Sequence, residues 1–146
     1  MDRKFACYCG LCCENCALKV KVFPAAKTLR SEMEKAGFDA VMHSVPGGNE
    51  FWSFLKEIAE HWTCTTCKED SGNPGCKVRK CAREKDVEMC AFCGDYPCEL
   101  TEEFNERSPG LKADNTLLRD KGWDAWEKLQ DKRKADGFTY TDDNRA

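Results

Sequence analysis

Twelve of the 146 residues are cysteine, about one in twelve. Three pairs of them stand as CxxC: Cys13/Cys16, Cys64/Cys67 and Cys90/Cys93. A CxxC turn points two thiolates in one direction and so supplies half of a tetrahedral site. Zinc takes four such ligands at about 2.3 Å and does no redox chemistry of its own. One CxxC pair says little, but three in so short a chain, with further cysteines close by, point to metal thiolates. Cys64-x2-Cys67-x8-Cys76-x4-Cys81 reads as one four-cysteine site, with the loop Ser71-Gly72-Asn73-Pro74-Gly75 turning Cys76 back. Cys90-x2-Cys93-x4-Cys98 supplies three ligands, and Gly94 falls where such a knuckle often uses positive φ. The N-terminal cluster, Cys7, Cys9, Cys12, Cys13 and Cys16, offers a fourth ligand to that group and sulfur for another site. Twelve thiols permit three closed sites; two sites with spare cysteines is the smaller count.

Metal identity stays open between two thiophilic options. Zinc is the expected cofactor, and a [4Fe–4S] cluster is the alternative. Cys9-x3-Cys13-x2-Cys16 is also the spacing with which radical-SAM enzymes hold three irons, but this chain is too short and too β-poor for the barrel-like domain those enzymes need. The vicinal Cys12-Cys13 pair suggests a third possibility, an open N-terminal site in a metal-handling protein or enzyme; the plainer reading makes one of the two a ligand and the other a bystander. His61, three residues before Cys64, is a possible substitute ligand or simply a helix-end histidine. His43 has no partner in the sequence. Lys68, Lys77, Arg79, Lys80, Arg83 and Lys85 surround the second cluster, either offsetting thiolate charge or forming a solvated basic face. No GxSxG, P-loop or GxGxxG motif is present, and no histidine is placed for a cysteine nucleophile.

Composition sets the outer limits. Leu, Ile, Val and Phe number 24, about 16% of the chain, while the net charge is only −3. So thin an apolar supply needs help from something other than burial. No run of 18 apolar residues exists and no signal-peptide h-region is visible, so a cytoplasmic setting is expected. There thiols stay reduced and structural disulfides are rare. The balanced charge argues against a nucleic-acid binder. A protein partner of unknown identity is expected, and no membrane.

The elements that must position the sulfur are mostly helices. Ala25, Leu29, Met33 and Ala36 recur at helical spacing, with Pro24 in the first turn and Gly37 as a C′ residue. After the Pro46-Gly47-Gly48 break, Asn49 is a candidate cap for a helix whose apolar face is Phe51, Phe54, Leu55, Ile58 and Trp62. That stripe is expected to face the core. A helix over Glu99 to Arg107 is followed by Ser108-Pro109-Gly110. Asp114 or Asn115 then caps a segment ended by Gly122, and Trp123, Trp126 and Leu129 mark a last helix ending near Gly137. One Ile and six Val leave little for sheet.

Cys9-Gly10-Leu11-Cys12-Cys13-Glu14-Asn15-Cys16 resembles the CGLxCxxC opening of domain-of-unknown-function family 3795, small Cys-rich bacterial and archaeal proteins. The resemblance continues through Cys64-Thr65-Thr66-Cys67, Cys76 to Lys85, and Cys90-Ala91-Phe92-Cys93-Gly94-Asp95-Tyr96-Pro97-Cys98-Glu99-Leu100. It ends in the region of Asn115 to Gly122 and Trp126. It implies metal binding, zinc above all, with no assigned reaction. The implied ligands are Cys9, Cys13, Cys16, Cys64, Cys67, Cys76, Cys81, Cys90, Cys93 and Cys98. Cys7 and Cys12 are additional to that pattern, and offer an extra cluster or a redox-active thiol. Thr66 stands where the family often has glycine.

The expected architecture is therefore mainly α: a small single domain, residues 1–138, of amphipathic helices packed around Cys-rich metal-bound loops, with at most short β-hairpins at the CxxC knuckles. Residues 139–146 form a polar tail. The expected function is a zinc-binding protein with two or three thiolate sites, mainly structural, serving as a binding or adaptor module. An iron–sulfur electron carrier or redox sensor is the alternative.

Overall fold

The computed structural model describes residues 1–107 and 109–141. It is mainly α. Its helices are α1 (Phe23–Lys35), α2 (Phe38–Val41), α3 (Gly48–Glu60), α4 (Lys77–Glu84), α5 (Glu99–Arg107) and α6 (Pro109–Ala135). Short 3₁₀ turns at Cys13–Asn15, Cys67–Glu69 and Cys90–Phe92 each begin or end on cysteine. Among the described residues the only β pairing is an isolated antiparallel bridge between Ala6 and Cys12. Among the described residues no helix is long and apolar enough to cross a membrane. The chain divides into two compact units, residues 18–63 and residues 1–17 with 64–146.

In the 18–63 unit a π-helical turn, Leu18–Val22, leads into α1. This helix ends at Ala36, with Gly37 left-handed as its spacing predicts. The expected face of α1 is displaced. Ala26 is buried and Met33 half-buried, whereas Ala25, Leu29 and Ala36 are exposed. The same displacement affects α3. Its buried side chains are Trp52, Leu55 and Ala59, with Ile58 packed alongside. Phe51 is 44% and Phe54 55% exposed, and Trp62 also lies outside, so the aromatic stripe does not face the core. Trp52, Leu55, Ala26 and Met42 form that core. Phe54 and Phe23 instead stack edge-on against Trp62, at 5.7 and 6.4 Å. The α3 cap differs too: Gly47 occupies the N-cap position and Asn49 lies within the first turn.

The other unit is organised by α6. Gly122 breaks this element in the middle, at φ 75° and ψ −174°, a backbone region glycine enters at no steric cost. The predicted stop at Gly122 is therefore present, but Asp114 and Asn115 are not caps. They sit inside the first half of α6 with their side chains buried. Leu118 from the first half and Trp126 from the second meet Ala6, Cys12, Met89, Ala91 and Tyr140 in one core. A polar cluster lies beside it. Arg133 donates to Asp114 at 2.7 Å, Gln130 donates to Asp114 at 2.9 Å, and Asn15 donates to Gln130 at 2.9 Å. Burial holds the Asp114 carboxyl above its ordinary range, opposed by Arg133.

Thr139 and Tyr140, expected to begin a loose polar tail, are buried. The Tyr140 hydroxyl accepts from the Cys12 N–H at 3.0 Å and donates to Asp114 at 3.1 Å. A tyrosine in a polar stretch is a large apolar body with one hydrogen-bonding handle, and that combination suits a polar pocket at a core edge. Ser108 and residues 142–146 of the expected break and tail lie outside the described residues.

Candidate metal centre

The CxxC turn at Cys90 is built by local hydrogen bonding. Cys93 N–H donates to Cys90 O at 3.0 Å and Tyr96 N–H to Cys93 O at 3.2 Å. The Tyr96–Pro97 peptide bond is cis, and Gly94 takes no positive φ, against the spacing argument. Cys98 follows, fixed by Thr101. The Cys98 N–H donates to the Thr101 hydroxyl at 2.9 Å, and the Thr101 N–H returns a bond to Cys98 O at 2.9 Å. That hydroxyl stands 3.6 Å from Cys98 Sγ. The Thr101 N–H holds the Cys98 thiol below its ordinary range, whereas burial pushes Cys90 up to about 12.

Cys81 joins these three. Cys81, Cys90, Cys93 and Cys98 line one small cavity of about 20 Å³, walled by Ala82, Val87, Leu100 and Tyr96 and bordered by Lys85. Lys85 is ion-paired with Asp95. The spacing grouped Cys81 with Cys64, Cys67 and Cys76, none of which lines this cavity. Cys76 is the N-cap of α4, its Sγ accepting the Arg79 N–H at 3.5 Å, while Cys81 lies inside that helix. Five residues of helix turn two side chains about 140° apart. α4 thus brings Cys81 to the cavity of Cys90, Cys93 and Cys98, while Cys9 of the N-terminal cluster also acts electrostatically on Cys90.

A second gathering of sulfur centres on Cys7. Its Sγ is 3.2 Å from that of Cys13, and Cys9 and Cys67 also interact with it. Hydrogen bonding to Cys13, Cys67 and Cys9, with burial added, keeps the Cys7 thiol protonated. Its proton in turn favours the Cys67 thiolate, which falls to about 6, helped by the Tyr8 N–H and the charges of Arg79 and Lys68. Cys9 is lowered mainly by Cys7 in the same way. The turn carrying Cys7 and Cys9 is closed by Cys7 N–H to Leu11 O at 2.7 Å, and Cys90 N–H donates to Tyr8 O at 2.7 Å. Gly10, at φ +102°, needs its missing side chain: a Cβ there would fall 2.3 Å from the Asn115 amide, which itself donates to Cys9 O at 2.9 Å.

The remaining candidates lie elsewhere. Cys12 is fully buried in the apolar core beside Trp126 and Leu118, and desolvation pushes its thiol up to about 11. Cys16 and Cys64 are partly exposed. His61 caps the C-terminus of α3 with its ring exposed, 3.5 Å from Glu60. Among the described residues no disulfide links the cysteines. Nor is any group of three or more His, Cys, Asp and Glu side chains there closed up, as it stands, into a set that could hold a metal ion.

The basic residues do not form one open face. Arg79 is buried and donates to Ser71 O and Asn73 O at 2.8 Å, with Cys67 O at 3.4 Å, so it wires the loop that follows the second CxxC. Arg83 pairs with Asp70 at 2.6 Å, and Lys68 with Glu88 at 3.6 Å. Thr66 supplies what a glycine would not: its hydroxyl caps the turn by accepting the Glu69 N–H at 3.2 Å.

Sequence reasoning gave Thr101 no role, took Asn115 only as a candidate helix cap and left Tyr140 in the polar tail. Thr101 carries a recognisable signal, a hydroxyl three residues after Cys98 at a helix start. Asn115 and Tyr140 carry none, because they act on residues over 100 positions away.

A family model described as "Protein of unknown function (DUF3795)" matches residues 5–103. No curated protein and no solved structure matches the chain.

Proposed function

Taking as premise that this chain belongs to the DUF3795 family, we propose that it is a thiolate metal-binding protein whose primary centre is Cys81, Cys90, Cys93 and Cys98. The observation that carries this reading is that these four thiols, contributed by α4, a CxxC turn and the start of α5, line one small cavity. Soft sulfur donors of that number suit zinc or iron–sulfur. Four thiolates around one small cavity match the closed tetrahedral set that a single zinc takes. Zinc is accordingly the proposed cofactor. Cys81, Cys93 and Cys98 are partly exposed and Cys90 is buried.

Cys7, Cys9, Cys13 and Cys67 form the proposed second centre, supported by the interaction of Cys7 with the other three. Bound zinc would supply charge and crosslinking, not redox chemistry. This chain's residues do the rest: Thr101 holds Cys98, Asn115 and Gly10 fix the Cys9 turn, and Arg79 gathers the loop behind Cys67. Cys12 is read as a core residue. A structural metal protein of this kind serves as a binding module. The exposed Phe51, Phe54 and Trp62 of the 18–63 unit support that part of the reading, since clustered apolar surface marks partner sites.

The test is metal analysis with a visible spectrum on one anaerobically purified sample. A colourless protein with zinc at one to two per chain is expected. Iron near four per chain, with absorption near 400 nm, replaces zinc by a cluster. Metal below one per chain on reduced protein overturns the proposal.

A further inference from the structure

We propose that Cys7 and Cys13 are a redox-modification site, at which a small peroxide forms a disulfide that withdraws two thiols from the N-terminal sulfur group and leaves the Cys81, Cys90, Cys93, Cys98 cavity untouched. Their Sγ atoms are 3.2 Å apart. Two sulfurs sharing one tetrahedral zinc at about 2.3 Å bond length stand roughly 3.8 Å apart, and bonded sulfurs about 2.05 Å. The pair is thus crowded beyond what a shared ion asks, in the direction of a covalent bond. The turn that carries Cys7 is closed by backbone hydrogen bonds. Ala6 bridges Cys12, Cys7 N–H donates to Leu11 O at 2.7 Å, and Gly10 N–H donates to Cys7 O at 3.0 Å. Asn115 braces the same turn through Cys9 O. Cys9 and Cys67, which also interact with Cys7, are the competing partners, and Cys12 is committed to the apolar core.

The chemistry uses the two thiols and one peroxide. One sulfur attacks a peroxide oxygen: an S–O bond forms, the O–O bond breaks, and the other oxygen leaves as water with the thiol's proton. The second sulfur attacks the sulfenic sulfur: an S–S bond forms, the S–O bond breaks, and the departing hydroxide takes the second thiol's proton to become water. Two thiols give up two electrons and hydrogen peroxide is reduced to two waters. Cys7 is 8% and Cys13 5% exposed. Burial of this degree hinders a bulky oxidant such as glutathione disulfide more than it hinders hydrogen peroxide.

The crosslink does not depend on the proposed function; only the accompanying metal loss does. The experiment treats the full chain, reduced and carrying whatever metal it purifies with, with hydrogen peroxide or with glutathione disulfide. Samples are then alkylated and the Phe5–Lys19 peptide is fragmented by mass spectrometry, with released zinc followed by a chromogenic chelator. The first disulfide is expected between Cys7 and Cys13, at least about tenfold slower with glutathione disulfide because access limits exchange, and accompanied by loss of one metal while another stays bound. Cys7→Ser abolishes that crosslink, and Cys12→Ser preserves it. A Cys7–Cys13 crosslink without metal release upholds this inference and counts against the second metal centre. A first disulfide joining any other pair, or Cys7 and Cys13 still alkylated after other thiols have oxidised, overturns the inference. That mapping on the unsubstituted chain decides even where a variant fails to fold.

Discussion

Between Leu18 and Thr63 there is no cysteine. The helices there close on Ala26, Met42, Trp52 and Leu55 and leave several aromatics outside. In the other unit all twelve cysteines lie among turns and short helices, and its apolar core is centred on Trp126, Leu118 and Met89. The contrast separates two ways of holding a small fold. The first depends on helix pairing alone. The second has long loops, such as residues 64–76, whose backbone is tied by Arg79 and sulfur rather than by buried apolar mass. On the proposed thiolate reading, a unit of the second kind answers to a bound ion and a unit of the first kind does not.

Metal removal is the strongest way to break that comparison. A structural zinc site contributes on the order of 10 kcal/mol of folding free energy, comparable with the whole stability of a domain, about 5–15 kcal/mol. A chelator under reducing conditions is expected to abolish amide protection across residues 64–98 in hydrogen exchange, while α1 and α3 keep theirs. An unchanged cooperative melt would sink the thiolate reading. Simultaneous loss in both units would show that they do not differ in this respect.

Trp126→Ala comes next. This ring is fully buried against both Cys12 and Leu118, and removal of a buried Trp costs about 3–5 kcal/mol. Denaturant unfolding followed at residues 1–17 and 64–141 is expected to show it, with the 18–63 helices unaffected. Tyr140→Phe keeps the ring but strips the hydroxyl from Cys12 N–H and Asp114, at a cost of about 1–3 kcal/mol. A thermal melt measures that loss, and a neutral outcome would mean that the C-terminal segment is not a fastening. Phe51→Ser, the smallest, is expected to change stability by no more than about 0.5 kcal/mol, as surface substitutions do. A cost near 3–5 kcal/mol in equilibrium unfolding would restore the stripe to the core.

That last variant marks a boundary of what the sequence shows. The helices are legible from period, proline and glycine: α5 spans Glu99–Arg107 as expected, and α6 breaks at Gly122. Which side of α3 is buried is not legible, because Phe51, Phe54, Leu55, Ile58 and Trp52, Leu55, Ala59 are both valid helical rows one step apart. The choice rests with the small Ala26 and with Met42, which receive Trp52. At the candidate centre, the CxxC turns are local and readable. Partnership among distant thiols is not, since spacing ignores the helix that turns Cys81 away from Cys76. Cys12 and Cys13 are indistinguishable as letters; the bridge from Ala6 to Cys12 and the Tyr140 hydroxyl on the Cys12 N–H set that residue in the core.

The bond from Tyr140 to Cys12 joins positions 128 residues apart. During synthesis Cys12 is therefore made long before the Tyr140 hydroxyl that accepts from its N–H, so this corner of the core closes only after residue 140 has left the ribosome.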